Sequence, residues 1–202
     1  MLKSHLKSEV TDKILSPVSR LGLSPNAWSL LSLLPASLGF IALILRNLHL
    51  ALLLFAASGF VDMVDGAVAR STNSSTTAGA FIDGVLDRYV ELLLILGLDI
   101  YLGGEKPFLT VPVHAWTMLL LFGAVMTSFV RAYADHRGLV KDPASLKIMG
   151  GLLERAERLM LIYIGMALGI YDTRLIVMAV ALVAVLANVT AIQRILFALK
   201  SP

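Results

Sequence analysis

The chain has 202 residues, 57% of them hydrophobic and only 15% charged, with a mean hydropathy of +0.82. Soluble domains carry about 25% charged residues, so this composition excludes an ordinary water-soluble protein and makes lipid the expected solvent. Cysteine is absent, which excludes disulfides and thiolate metal sites; the net charge of +3 comes from basic residues scattered between apolar runs, a pattern of membrane anchors rather than of nucleic-acid binding.

In residues 1–21, Leu2, Leu6, Val10, Ile14 and Val18 recur every four positions with Lys3, Lys7 and Lys13 between them. That spacing predicts an amphipathic helix lying in the membrane interface. No short apolar core with a small-residue cleavage site precedes it, so no cleavable signal peptide is expected. Pro17 and Pro25 break the chain before the first long apolar run.

A transmembrane helix needs about 20 mostly apolar residues. Six such segments follow, at 25–45, 49–71, 79–103, 113–135, 150–171 and 174–197. Turn-forming residues separate them: Arg46-Asn47, the polar run STNSSTT, GGEKPF, DHRGLVKDPAS and YDTR. The expected fold is therefore an all-α integral membrane domain spanning 1–202, with six transmembrane helices preceded by the interfacial helix. Only Arg46, Lys106 and Arg174 fall on one side of such a topology; the other 14 of the 17 lysines and arginines fall with the termini. The bias predicts a multi-pass cell-membrane protein with both termini cytoplasmic.

Four aspartates interrupt the second and third segments. Asp62, Asp65, Gly66 and Ala69 share one helical stripe, with Arg70 just beyond; Gly79, Asp83, Asp87 and Glu91 share another. The connection 71–78 is short enough to make the two helices antiparallel neighbours, so both stripes lie near the same end and can face each other. An aspartate at the centre of a membrane helix costs about 2.5–3.5 kcal/mol on insertion scales, and four together repel. One or two divalent cations would neutralise them. A set of hard oxygen ligands without nearby Cys or His points to Mg²⁺, Mn²⁺ or Ca²⁺ rather than zinc. The small residues on these faces serve either helix packing or space for a ligand.

Written out, the spacing is D-x2-D-G-x2-A-R-x8-G-x3-D-x3-D, filled by Asp62, Asp65, Gly66, Ala69, Arg70, Gly79, Asp83 and Asp87. It resembles the signature of the CDP-alcohol phosphotransferase family, and the six spans, the N-terminal helix and LSPN before the first span agree with it. The resemblance implies an enzyme that transfers a phosphate-linked group from a CDP-activated donor to an alcohol and releases CMP. It implies that Asp62, Asp65 and Asp83 bind Mg²⁺ or Mn²⁺, two ions being expected, and that Asp87 takes the proton of the attacking hydroxyl while also touching a metal. By the same likeness Asp62, Gly66, Ala69, Arg70 and Gly79 shape the cytidine diphosphate site, which opens to the cytoplasm, and the protein is a homodimer.

Arginines in the later segments sit at the level expected for the aspartates: Arg131 in TSFVRAYAD, Arg155 and Arg158 in GGLLERAERLM, and Arg194 in NVTAIQRILF. They are candidates to hold the phosphate of a second substrate. The plainer readings are that Glu154 and Arg158, four apart, pair across a helical turn, and that boundary arginines snorkel to lipid phosphates. Within the family, ER-x-ER together with N-x-T-A-x-Q-R looks most like the inositol-phosphate-using synthases, the archaeal type ahead of the actinobacterial. These join a CDP-lipid, CDP-archaeol or CDP-diacylglycerol, to myo-inositol phosphate. Glycerol 3-phosphate is the rival acceptor. From other classes, an ion-coupled transporter would also place aspartates in the membrane, but no inverted repeat is evident, and an aspartate-rich prenyltransferase would lack G-x2-A-R. His5, His49, His114 and His136 form no metal-ligand spacing; Trp28 and Trp116 suit interfacial anchoring.

Overall fold

The computed structural model describes residues 25–71, 76–140, 142, 145–146 and 149–200, with the side chains of 25–30 and 64–71 outside that description. The expected interfacial helix at 1–21 lies outside the described residues. Those residues form six helices: α1 Pro25–Ile44, α2 Leu48–Ser71, α3 Thr77–Leu102, α4 Val113–His136, α5 Arg155–Leu168 and α6 Thr173–Lys200. Among the described residues there is no strand beyond an isolated bridge between Phe108 and Val111. Two helices, α4 and α6, are long and apolar enough to cross a membrane by length and composition. In α3 the apolar run is broken by Asp83, Asp87, Arg88 and Glu91.

Helix ends follow local chemistry. α1 stops in a Schellman arrangement: Asn47 N–H donates to the Ala42 carbonyl (2.8 Å) and Arg46 N–H to that of Leu43 (3.0 Å), with Arg46 at φ 60°. Asn47 then caps α2, its Oδ1 accepting from Leu50 N–H at 3.1 Å. Thr76 caps α3 by accepting from Gly79 N–H at 3.0 Å. Gly138, at φ 63°, closes α4 in a second Schellman turn with Leu139 N–H on the Ala134 carbonyl.

By contact clustering the described chain packs as two compact units, residues 25–41 with 53–94 and residues 42–52 with 95–200. In the first, α1 crosses α2 where Gly39 faces the Phe55 ring; a Cβ on Gly39 would stand 2.9 Å from Phe55 Cδ2. Nearby, the buried Ser58 hydroxyl donates to the Ser32 carbonyl at 2.7 Å. Close approach at a small residue plus an interhelical hydrogen bond is the packing expected in lipid, where apolar burial alone brings helices together only weakly.

The second unit is organised around α6, against which α4 and α5 pack. α6 is apolar on all sides, as a central helix must be. Gly165 and Gly169 on α5 leave room for Ala179 and Ile176. Gly123 on α4 faces Asn188, whose Nδ2 donates to the Leu119 carbonyl at 2.9 Å. Val140 and Met149 are buried with Ala134 and Ala198, tying the connection between α4 and α5 to the ends of α4 and α6. On the outside, Met118, Phe122, Phe129, Met160 and Leu182 are all exposed, Met118 by 72%. A surface this apolar is suited to hydrocarbon rather than to water.

The fifth helix differs from expectation. An apolar segment from 150 predicts helix from that point, yet α5 begins at Arg155 and runs only 14 residues. The reason lies 40 residues downstream. Leu152 N–H donates to Gln193 Oε1 (2.8 Å) and Leu153 N–H to Thr190 Oγ1 (2.9 Å), so these amides serve α6 side chains instead of a helical ladder. Glu154 then starts α5 through a reciprocal capping box with Glu157.

Candidate active site

In the first unit, α2 presents Asp62 and α3 presents Asp83 and Asp87. All three are half-buried, and one ligand oxygen from each lies within 4.8 Å of the others. Two unit charges at that separation repel by about 3 kcal/mol at an effective dielectric of 20, so the cluster calls for a cation. Oxygens that share one Mg²⁺ at about 2.0–2.1 Å stand about 3–4 Å apart, and those sharing the larger Ca²⁺ stand further apart. The trio therefore fits a divalent metal held by oxygen alone. Arg88 Nη1 lies 3.8 Å from Asp87 Oδ2 at the edge of the cluster, and one turn further on Glu91 is 1% exposed.

Four-residue spacing places Asp83 and Asp87 on one face of α3, and Thr76 fixes where that helix begins. The Gly79 amide thus sits in the first turn, bonded to the Thr76 hydroxyl, one turn before Asp83. Asp65, Gly66, Ala69 and Arg70 all lie on α2. Their side chains are outside the described residues.

The four arginines belong to the second unit. Arg131 is exposed, Arg155 half-buried, and Arg158 buried to 1% exposure. Arg194, also buried, donates through Nη1 to the Thr127 carbonyl at 2.6 Å, and its Nη2 stands 3.5 Å from Glu154 Oε1. The plain reading of Glu154 as an intrahelical partner for Arg158 is replaced by this pairing: as the residue that caps α5, Glu154 turns its carboxylate toward α6.

Sequence spacing does not single out Asp99. Its Oδ1 lies 2.7 Å from His114 Nδ1 and 2.6 Å from Thr117 Oγ1, joining α3 to the start of α4. Trp116, expected as an interfacial anchor, also donates from Nε1 to the Phe108 carbonyl at 3.2 Å. No sequence motif announces either contact, because each pairs residues brought together only by the turn at 103–112.

With the fold and the carboxylate cluster in view, comparison with known proteins gives the class. The family model described as CDP-alcohol phosphatidyltransferase matches residues 23–191, and the chain belongs to that family of enzymes. It is a transferase of a membrane-associated family. Among curated relatives, it is 30% identical to the archaetidylinositol phosphate synthase of Aeropyrum pernix, covering 97% of this chain and 93% of the relative. It is 31% identical to the enzyme of the same name from Pyrococcus horikoshii, covering 96% of each. Its fold is similar to crystal structures of the Mycobacterium tuberculosis phosphatidylinositol phosphate synthase. One, with CDP-DAG bound, has a TM-score of 0.81 at 24% identity, covering 96% of both chains; another, with manganese and citrate, has a TM-score of 0.80 at 25% identity, covering 95% of this chain and 90% of that one.

Proposed function

We propose that the whole chain forms one catalytic domain that transfers a phosphatidyl-type group from a CDP-lipid, CDP-archaeol or CDP-diacylglycerol, to myo-inositol phosphate, releasing CMP in phospholipid synthesis. The observation that carries this reading is the convergence of Asp62, Asp83 and Asp87 within 4.8 Å, on the aspartate spacing of a CDP-alcohol family. The acceptor is supported by the names of the two archaeal relatives aligned over nearly their full length.

In this mechanism the acceptor hydroxyl attacks the phosphorus that bears the lipid alcohol, a new P–O bond forms, and the bond to the CMP phosphate breaks. Asp87 takes the hydroxyl proton; such assistance is typically worth about 10²–10⁴-fold. Asp62, Asp65, Asp83 and Asp87 would hold Mg²⁺ or Mn²⁺, two ions in our reading, supported by the oxygen-only donor set and by the manganese complex of the mycobacterial enzyme. Bound there, divalent metal supplies charge neutralisation for the diphosphate and for departing CMP. Asp62, Gly66, Ala69, Arg70 and Gly79 shape the cytidine site, Arg70 by paired hydrogen bonds to phosphate oxygens. Arg131, Arg155, Arg158 and Arg194 serve the acceptor phosphate. The donor's tails stay in the bilayer, six helices cross it, the site and both termini face the cytoplasm, and the enzyme works as a homodimer.

The test is CMP release by the purified protein with CDP-lipid and Mg²⁺ or Mn²⁺, across inositol phosphate, glycerol 3-phosphate, inositol and serine. Inositol phosphate should give the fastest release. Faster release with glycerol 3-phosphate would reassign the acceptor, and silence with every polyol phosphate would sink the enzyme reading.

A further inference from the structure

The segment before α5 is held by α6 side chains at three successive residues. Gly151 lies against the Thr190 methyl, so closely that a Cβ there would collide with Thr190 Cγ2. Leu152 N–H donates to Gln193 Oε1 at 2.8 Å and Leu153 N–H to Thr190 Oγ1 at 2.9 Å, the second bond being buried. The next residue, Glu154, caps α5 and ion-pairs with Arg194. Thr190 has a second bond of its own, donating to the Leu186 carbonyl at 2.9 Å. Its hydroxyl is therefore oriented, with a lone pair directed at Leu153.

An apolar run does not start a helix late without cause. Here Thr190 and Gln193 supply the acceptors for two amides, and the helix begins only where Glu154 and Glu157 can cap it. The residue that follows is Arg155. Its Cα, and hence the reach of its guanidinium, is set by where α5 begins.

We propose that Thr190, assisted by Gln193, is a positioning residue for the acceptor: it fixes the backbone of Gly151–Leu153, and through it the start of α5 and the placement of Arg155, without touching substrate itself. This rests on the reading above that Arg155 serves the acceptor phosphate. Thr190→Val keeps shape and removes the acceptor oxygen, whereas Thr190→Ser keeps the oxygen and removes the methyl. Gln193→Leu and Gln193→Glu make the same contrast at Leu152. Loss of one buried hydrogen bond transmitted to a phosphate contact corresponds to about a tenfold effect on acceptor binding.

The experiment measures steady-state CMP release with the full chain, CDP-diacylglycerol or CDP-archaeol, Mn²⁺ and varied myo-inositol phosphate, beside amide hydrogen exchange of peptide 150–158. Thr190→Val should raise the acceptor KM about tenfold, with the donor KM and the saturating rate within about twofold of wild type. Gln193→Leu should move the same way by less; Thr190→Ser and Gln193→Glu should stay near wild type. Peptide 150–158 should exchange faster in Thr190→Val than in Thr190→Ser. A Gly151→Ala variant should share the acceptor defect and regain part of it when combined with Thr190→Ser, which removes the colliding methyl. Unchanged acceptor KM in Thr190→Val, or equal losses in the Val and Ser variants, would overturn the proposal. So would parallel losses in donor and acceptor parameters. If the wild-type chain transfers nothing to inositol phosphate, the acceptor reading fails on its own. The exchange difference then still decides the bracket, and equal exchange in the two Thr190 variants would remove it.

Discussion

Arg194 on α6 donates through Nη1 to the carbonyl oxygen of Thr127 on α4, at 2.6 Å. A charge buried in this way is fixed from two sides, because Glu154 lies 3.5 Å from Nη2. A hydrogen bond to a charged group is worth about 1.5–3 kcal/mol, and a domain of this size shifts its Tm by about 2–4 °C per kcal/mol. Arg194→Met should therefore lower Tm in detergent by roughly 3–12 °C and weaken acceptor saturation together. A variant with wild-type Tm would show that the contact with Thr127 contributes nothing.

The carboxylate cluster makes a prediction of opposite signs. Without metal, Asp62, Asp83 and Asp87 repel, so Asp83→Asn should raise Tm in EDTA. With saturating Mn²⁺ the wild type should be the more stable, and Mn²⁺ affinity, read by EPR titration of free ion, should fall at least about tenfold in Asp62→Asn and Asp83→Asn. If Asp83→Asn is destabilised in EDTA as much as in Mn²⁺, the cluster is not a cation site.

Asp87→Asn separates proton transfer from binding. Turnover should drop by about 10²-fold or more, while CDP-lipid binding, measured by tryptophan fluorescence or calorimetry, stays largely intact. Wild-type turnover would take the base role away from Asp87.

Packing of α4 on α6 depends on a size match between Gly123 and Asn188. A Cβ on Gly123 would stand 2.6 Å from Asn188 Nδ2, and overpacking typically costs about 1–3 kcal/mol. Gly123→Ala should lower Tm, Asn188→Ala should lower it through loss of the bond to Leu119, and the double variant should recover part of the first loss. Strict additivity in that cycle would mean the two sites do not meet.

The Phe108–Val111 turn carries Leu109 at φ 50° and Thr110 at φ 64°. Left-handed backbone costs an ordinary residue roughly 1–2 kcal/mol, and asparagine and glycine adopt it readily. Replacing Leu109-Thr110 by Asn-Gly should raise Tm by a few degrees. A fall would show that the Leu109 or Thr110 side chain stabilises the turn by more than the backbone relief.

Much of this was legible from spacing. The apolar runs place five of the six helices within a few residues, because turn chemistry at Asn47, Thr76, Gly138 and Asp172 marks where each one stops or starts. The convergence of Asp62 with Asp83 and Asp87 follows from a short connection and a four-residue period. What spacing could not show is where long-range side chains intercept the backbone. α5 starts five residues later than its hydrophobicity predicts because Thr190 and Gln193 take its first amides. Asp99 went unmarked because its partners His114 and Thr117 lie across a turn, and Glu154 was assigned to Arg158 because an intrahelical neighbour is all that spacing can offer.

Thr127, Glu154, Thr190 and Arg194 all come from a single uninterrupted stretch of the chain, downstream of every motif aspartate. A genetic crossover just past Leu94, where the first compact unit ends, would keep Asp62, Asp83 and Asp87 with one parent and pass all four of these residues intact to the other. Asp99 would travel with His114 and Thr117. Recombination between related genes thus has a joint at which the chemistry can be inherited from one ancestor and the partner alcohol from another.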